Sequence, residues 1–514
     1  MFPITCRPCN GYLLALAAGA LMPLALAPFN LWPLALLSTA LFYHGLKTLP
    51  ARLAFRQGWC YGFGSFGAGT SWVYVSIRDF GDAPLPLALA LTVGFCAGLA
   101  LLFAVHAYLW ARYFRRDQAP VADALAFAAL WLAMEVLRSV LLGGFPWLLL
   151  GYSQLDGPLA ALAPLGGVWL ISTALALTAA LLASARAWHR RPRQALAAVA
   201  LLVAPWATGL LANGYAWTRP AGPALKIAAV QGNVAQQLKW DPAYARSTLD
   251  HYRQLTAPHG DADLVVWPEN AIALLREDVG PPLRAMDEAF KGRHQALITG
   301  IPVSQADGLG GQRFYNSLMV IGAGTGTYFK QKLVPFGEYV PLQQYLRAVM
   351  GLFDLPMSNF SPGPPRQPPL LAKGITVAPL ICYEGVFPQL SAEQASHGQL
   401  IVTVSNDTWF GRSIGPAQHL QIARMRALES GRWMVRATNS GITVLVDPLG
   451  HVQARLASFQ SGVLRGDVVP MTGSPPYLRW RLWPLGSGCA LVLVWAAVLG
   501  RSSRRRHRHA VMLQ

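Results

Sequence analysis

The sequence is short of charge. Only 13% of its 514 residues are Asp, Glu, Lys or Arg, about half the share of an ordinary soluble domain. With 53% hydrophobic residues and a mean hydropathy of +0.34, this excludes a disordered chain and an ordinary soluble enzyme of this length. Acid is scarcer than base: 24 Asp and Glu stand against 42 Lys and Arg, a formal net charge of +18. Such a balance suits a nucleic-acid binder or a membrane protein, and the placement of the charges decides between them. There is no internal repeat, and the glycine-rich run of the globular region is not a G-x-G-x-x-G fingerprint. The run Gly322-Ala-Gly-Thr-Gly326 lacks that spacing and precedes a strand-like run rather than a helix, so it reads as a turn between two strands.

What the chain has instead is long apolar runs. Eight stretches are long enough, or nearly so, to cross a bilayer: roughly 11–28, 31–46, 58–75, 84–111, 121–141, 166–184, 195–213 and 482–500. The second is short and Pro-interrupted, which leaves a re-entrant hairpin as the alternative to a full span. The first has Arg7 before it and Ala25-Leu26-Ala27 at its end, like a signal peptide. Pro28 follows that site directly and a second apolar run comes at once, so it reads as a retained helix.

Basic residues sit on alternate sides of these runs. Lys47, Arg52 and Arg56 follow the second, Arg112, Arg115 and Arg116 the fourth, Arg186, Arg190, Arg191 and Arg193 the sixth, and Arg501, Arg504, Arg505, Arg506 and Arg508 the eighth. The opposite loops hold only Arg78, beside Asp79 and Asp82. This pattern predicts an even number of spans with both termini in the cytoplasm. The arginine-rich tail then anchors topology instead of binding nucleic acid. The expected division is a membrane domain over 1–214 with seven transmembrane helices, a non-cytoplasmic domain over 215–478, and a last helix with a basic cytoplasmic tail over 479–514.

From about residue 224 the pattern becomes globular. Strand-like runs recur at 226–230, 264–267, 296–301, 317–321, 375–381, 400–404, 433–437 and 442–446, and helix-like segments at 242–256, 281–291, 387–397 and 415–430. Strands alternating with helices predict a covered, largely parallel or mixed sheet in a single domain. The proline-rich stretch 361–369 reads as a surface loop.

Of the six cysteines, Cys6, Cys9, Cys60, Cys96 and Cys489 lie in or beside the membrane segments, and only Cys382 belongs to the external domain. A lone cysteine in an oxidising compartment has no intramolecular disulfide partner and is either buried or reactive. Cys6-x-x-Cys9 matches a redox or metal motif in spacing alone. Cys382 ends an apolar run and begins a polar turn, Tyr383-Glu384-Gly385. A nucleophile there is rigidly aimed, and N–H groups of the turn can form an oxyanion hole; a small core residue is the alternative. A thiol needs a base within reach, and Val265-Val-Trp-Pro-Glu-Asn270 offers Glu269 at the end of another strand, if not merely a loop carboxylate. The stretch Tyr328-Phe-Lys-Gln-Lys-Leu-Val-Pro-Phe-Gly-Glu338 supplies lysines, which are surface cations or else partners for a thiolate and an oxyanion.

Glu in W-P-E, Lys before L-V-P-F-G-E and Cys in I-C-Y-E, spaced 61 and 52 residues apart, resemble the nitrilase superfamily of carbon–nitrogen hydrolases in type and order. With seven spans before and one after, the whole chain resembles its membrane-bound branch, the bacterial apolipoprotein N-acyltransferases. Further matches are Gln231-Gly-Asn233 with Lys239-Trp-Asp-Pro242, Ser405-Asn-Asp-Thr-Trp-Phe-Gly411, and Gly144-Phe-Pro-Trp147 after Glu135-x-x-Arg138. The basic tail departs from the family pattern without touching the chemistry.

The resemblance implies an αββα sandwich on an α-helical polytopic membrane domain of about eight transmembrane helices. It implies Glu269 as general base, Cys382 as nucleophile and Lys330 as stabiliser of the tetrahedral intermediate, with Lys332 the rival for that last role. Trp240, Glu338, Tyr383 and Glu384 match positions used around the site: Tyr383 N–H for the oxyanion hole, Glu338 and Glu384 to orient Lys330 or the incoming amine. The implied partners are a phospholipid acyl donor, a diacylglyceryl-modified apolipoprotein acceptor and the bilayer, with no metal, no cofactor and no nucleic acid, in a monomer of the bacterial inner membrane whose catalytic domain is periplasmic. Glu135 and Arg138, costly in lipid, are expected to pair with each other or to face a headgroup, and Phe145, Pro146 and Trp147 to line a lipid entry path. Two other readings remain at this level: a membrane-tethered amidase that passes the acyl group to water, and a transporter with a ligand-binding external domain.

Overall fold

The computed structural model describes residues 8–116, 118–308, 310–339 and 360–512, apart from the side chains of 8–9 and 500–512. The Cys6–Cys9 pair and the arginine side chains of the tail lie outside the described residues. The chain forms two compact units, one of 1–78, 82–215 and 480–514, the other of 79–81 and 216–479.

The first unit is helical. Its main helices are Pro8–Leu21, Pro33–Leu46, Ala51–Thr70, Leu85–Leu109, Pro120–Arg138, Ala163–Ala183, Pro192–Leu211 and Trp483–Met512, one for each apolar stretch. Pro33, Pro120 and Pro192 open their helices, where a missing N–H leaves no intrahelical bond unmade. Among the described residues, four helices are long and apolar enough to cross a membrane: Leu85–Phe114, Pro120–Arg138, Ala160–Ala183 and Pro192–Leu211. Asn10–Ala25, Pro33–Leu46 and Trp483–Leu499 are apolar but shorter. The 14 residues of Pro33–Leu46 reach about 21 Å at 1.5 Å per residue, against a hydrocarbon core of about 30 Å.

Ala51–Thr70 carries Arg52, Arg56 and Gln57 and is rich in glycine. A Cβ at Gly64 would strike the carbonyl of Leu16, and one at Gly58 that of Phe103. Small residues therefore let three helices approach closely, as membrane helices do. Leu89, Val93, Leu196, Val203, Leu491 and Val494 point outward and exposed, an apolar surface suited to lipid.

No salt bridge joins Glu135 and Arg138 among the described residues. Glu135 Oε1 accepts from Trp131 Nε1 at 3.0 Å and Leu150 N at 2.8 Å. Arg138 donates to the Leu148 carbonyl at 3.4 Å and lies 5.1 Å from the Phe66 ring centroid. Both are buried, where unmade hydrogen bonds cost more than an exposed pair would return, so they brace the 148–150 backbone. Trp147 is buried too, against Trp72 and Phe145.

The second unit is two sheets with helices outside. The first sheet runs Gly462–Val468, Leu225–Gln231, Leu264–Val266, Ala296–Ala306, Gln312–Gly322, Thr327–Phe329; the second Val452–Arg455, Val444–Val446, Met434–Thr438, Leu400–Ser405, Ile375–Ile381, Leu370–Ala372, Gly324–Thr325. The middle of each is parallel. Alternation along the strands sorts the side chains. Ile227 and Ala229 enter a layer with Val377, Ile381 and Val402 of the opposite sheet. Ala228 and Val230 face the other way, with Leu249 and Tyr252 of helix Pro242–Thr256 and Leu283 of helix Gly280–Gly292. Helix Pro388–His397 packs on the second sheet beside Gly415–Ser430, completing an αββα sandwich.

The sequence pattern did not reveal Val452–Arg455 or Gly462–Val468. Both are half-exposed, antiparallel additions and lack the continuous apolar run of buried parallel strands. The glycine-rich 322–326 segment is a turn, as read, with one addition: Gly324–Thr325 pairs with Leu370–Ala372 of the other sheet before Thr327–Phe329 returns against Ser317–Met319. Residues 361–369 contain no helix or strand except the final approach to Leu370.

Candidate active site

Parallel strands end together, and side chains just beyond their carboxyl ends converge. Leu264–Val266 runs through Trp267-Pro268 into Glu269; Ile375–Ile381 ends at Cys382; Leu400–Ser405 ends at Asn406 and Asp407. Cys382 has φ of 51° and Asn270 φ of 46°. Left-handed backbone in non-glycine residues stores about 1–3 kcal/mol each and marks sites where an abrupt turn aims a side chain. Gly300 lies under the Glu269 turn, where a Cβ would collide with the Asn270 backbone.

Lys330, only 1% exposed, joins two carboxylates: its Nζ donates to Glu269 Oε1 at 3.1 Å and Glu338 Oε1 at 2.9 Å. Asn316 Nδ2 donates to the same two oxygens, at 2.8 Å each. Asn406 N completes the hold on Glu269 through Oε2 at 3.0 Å. Glu338 is fixed in turn by the Val334 N–H at 2.8 Å. Burial opposes charge on Glu269, but the ammonium groups of Lys330 and Lys239 prevail and keep its carboxyl below the usual range. Lys330, against its own burial, is held above the usual lysine range by Glu269 and Glu338.

Cys382 is buried, and its sulfur lies 3.3 Å from Ser405 Oγ. Burial, then the Glu269 charge, push the thiol up to about 12, with Lys330 opposing. The resting centre is thus a protonated thiol beside an ionised Glu269–Lys330 pair. Of the two lysines in the motif, Lys330 is the buried one; Lys332 lies 5.2 Å from the Phe387 ring centroid and makes no ion pair with Glu269 or Glu338 among the described residues.

Glu338 contacts Lys330 directly. Glu384 makes no ion pair with Lys330 among the described residues: its Oε1 accepts from Tyr328 Oη at 2.8 Å and Gln331 N at 2.6 Å, and its Oε2 from Ile381 N at 2.8 Å. It ties the cysteine turn to the lysine strand, because two facing backbone N–H groups need an acceptor where no strand continues. Burial raises this carboxyl to about 7. Tyr383 follows Cys382 in a short 3₁₀ turn, Cys382–Val386, with its ring edge-on to Phe387 at 5.1 Å. Trp240 is half-buried at the end of the turn Gln236–Lys239 and donates no hydrogen bond to the glutamate or the lysine.

Several residues escaped the sequence reading. Asn316 sits mid-strand with no motif to mark it. Lys239 stood only within a matched motif, yet its Nζ is buried and donates to the Glu269 carbonyl at 2.7 Å; burial lowers it to about 8. His419 and Arg436 meet Asp407 behind Cys382. Among the described residues no group of three or more His, Cys, Asp or Glu side chains is arranged to hold a metal ion.

Two family descriptions match the chain: "Apolipoprotein N-acyltransferase N-terminal domain" over residues 18–181 and "Carbon-nitrogen hydrolase" over 226–474. Among curated relatives, the apolipoprotein N-acyltransferase of Pseudomonas paraeruginosa is 57% identical, covering 97% of each chain. That of Azotobacter vinelandii is 57% identical over 98% of each. That of Coxiella burnetii is 41% identical over 92% of this chain and 96% of its own.

Proposed function

The chain belongs to the apolipoprotein N-acyltransferases, and from that premise we propose that Cys382 carries an acyl group from a membrane phospholipid to the α-amino group of a lipoprotein's N-terminal diacylglyceryl-cysteine. The observation that carries this reading is the buried Glu269–Lys330–Glu338 array beside a thiol at the end of a strand. In the first half-reaction Cys382 attacks the ester carbonyl, its proton passes to Glu269 and from there to the leaving alkoxide, and lysophospholipid departs. In the second, the amine attacks the thioester and gives up a proton to Glu269, the amide forms, and Glu269 returns that proton to the sulfur.

The resting proton affinities oppose the first transfer, since the thiol is held high and Glu269 low. Lys330 resolves this. As negative charge grows on the carbonyl oxygen, the ammonium turns part of its field to that oxygen and Glu269 becomes more basic. Proton transfer is thereby coupled to attack, and a free thiolate never accumulates. The Tyr383 N–H, next in the turn, is placed in sequence to assist the oxyanion. Water would hydrolyse the thioester, so acyl chains and the lipid face must exclude it; this is the physical reason for tying the domain to a bilayer.

In this reading all eight helices of the first unit are membrane segments, with domains over 1–214, 215–478 and 479–514. The termini are cytoplasmic and the catalytic domain periplasmic, in a monomer of the inner membrane. Alternation of basic loops supports the orientation. Lipid, lipoprotein and bilayer are the partners, without metal, cofactor or nucleic acid.

The test is intact mass spectrometry of the detergent-solubilised protein after incubation with phospholipid. The expected result is a hydroxylamine-sensitive acyl adduct on wild type and none on Cys382→Ala, discharged by a diacylglyceryl-cysteine peptide as acylated peptide. Release of free fatty acid instead of acylated peptide would favour the tethered amidase.

A further inference from the structure

Behind Cys382 lies a second buried polar cluster that the reaction above does not use. Ser405 Oγ lies 3.3 Å from Cys382 Sγ and 2.6 Å from Asp407 Oδ1. Arg436 Nη2 donates to Asp407 Oδ2 at 2.7 Å. His419 Nδ1 lies 3.0 Å from Asp407 Oδ1, and its Nε2 lies 3.3 Å from the Cys382 carbonyl oxygen. Ser405, Asp407, His419 and Arg436 are each 1% exposed or less. A buried ion pair adds little to stability compared with well-packed apolar side chains, so its position against both the sulfur and the carbonyl of one residue asks for another reason.

Ser405 has one hydroxyl hydrogen and two acceptors in reach. An ionised carboxylate at 2.6 Å takes it, because charge-assisted hydrogen bonds are shorter and about twice as strong as neutral ones, and sulfur is a weak acceptor. The oxygen then offers its lone pairs to the sulfur, which can donate only as S–H. We propose that Ser405 is a positioning residue for Cys382: held by Asp407, it accepts the thiol hydrogen, fixes the side-chain rotamer and keeps the sulfur protonated until Glu269 takes the proton. Arg436 and His419 fix Asp407, and His419 reaches the Cys382 carbonyl as well. When the sulfur becomes an anion during thioester collapse, the hydroxyl hydrogen can turn toward it.

The groups that set the charge around this sulfur are Glu269 and Lys330 at the strand end, Lys239 beyond Glu269, and Asp407 with its partners His419 and Arg436 behind. Glu269 and Asp407 favour the thiol; Lys330, and a hydrogen bond given to the sulfur by Ser405, favour the thiolate. Removing the Asp407 charge both lifts a repulsion and frees the Ser405 hydrogen for sulfur, so the thiol should become more acidic.

The inference rests on Cys382 being the nucleophile, and two independent measurements separate the two. The first follows alkylation of the Cys382 peptide by iodoacetamide against pH, in full-length protein, by mass spectrometry; it needs no acyl transfer. The second is single-turnover acylation by phospholipid. Asp407→Asn is expected to move the alkylation profile about one pH unit down, a tenfold faster reaction on its rising limb. Ser405→Ala is expected to slow acylation about tenfold with little change in the phospholipid concentration needed, and Ser405→Thr, which keeps the hydroxyl, to restore it. Wild-type acylation in Ser405→Ala, or a wild-type alkylation profile in folded Asp407→Asn, overturns the proposal. Should Asp407→Asn fail to fold, the Ser405 pair decides. Absence of an acyl adduct in wild type itself would count against the acyltransfer reading and leave the alkylation result standing.

Discussion

Replacing Lys330 by Met tests the electrostatic account of the site directly. The substitution preserves bulk and removes one ammonium that lies 3.1 Å from Glu269 and 2.9 Å from Glu338, all within the interior. Breaking one partner out of a buried ion pair costs about 3–5 kcal/mol. For a domain of this size each kcal/mol moves the thermal midpoint by roughly 2–4 °C, so at pH 8 the variant should melt roughly 10 °C lower. The two stranded carboxylates have one escape, which is to take up a proton.

In wild type, Glu269 is held low and Lys330 high. The first contribution is complete above the unfolded carboxylate value and lost only below it; the second is complete below the unfolded lysine value. Neither changes between pH 5 and 8. In Lys330→Met, burial prevails and one carboxyl rises into that window, so each unit of falling pH recovers up to about 1.4 kcal/mol. The assay is the difference in melting midpoint between variant and wild type from pH 8 to pH 5, which cancels the titrating groups not coupled to Glu269. It should shrink by several degrees per unit. A deficit that stays constant across that range would refute the reasoning, whatever the activity. Acyl transfer should fall at least 10²–10³-fold, the range for losing one oxyanion-stabilising donor.

Other changes probe the frame around this centre. Gly300→Ala should displace the Glu269 turn, since its Cβ meets the Asn270 backbone; a fall of about tenfold or more in acylation rate with an intact fold is expected, and unchanged kinetics would show the contact to be soft. Lys239 is charged below about 8, against its burial. Lys239→Met should therefore leave the melting midpoint at pH 7 equal or higher while lowering activity, because the charge is held at a cost and helps keep Glu269 ionised; a lower midpoint would assign Lys239 to stability instead.

Glu269, Lys330 and Cys382 were legible through the family resemblance; each follows an apolar strand and precedes a turn, a pattern that by itself left a loop carboxylate, surface lysines and a core cysteine as the alternatives. The same resemblance marked Glu338. Glu384 was singled out for orienting Lys330 or the incoming amine; what the chain alone did not show is that its oxygens accept from Ile381 N, Gln331 N and Tyr328 Oη. Glu135 and Arg138 were expected to pair with each other or to face a headgroup because charge is costly in lipid; they hydrogen-bond to Leu150 N and the Leu148 carbonyl. Claims of this kind by buried backbone groups cannot be seen along the chain.

By itself the sequence determined the two-part plan, the helices, the central parallel strands and the residues that end them. Those follow from composition and from periods of 2 and 3.6 residues, which are local properties. Only the tertiary structure decided that Lys330 and not Lys332 enters the interior, that Asn316 bridges the same two oxygens as that lysine, and that Ser405, Asp407, His419 and Arg436 gather behind one sulfur. Those choices depend on which strand lies beside which and on where burial leaves a polar atom without water, and residues from tens to more than a hundred positions apart settle them together.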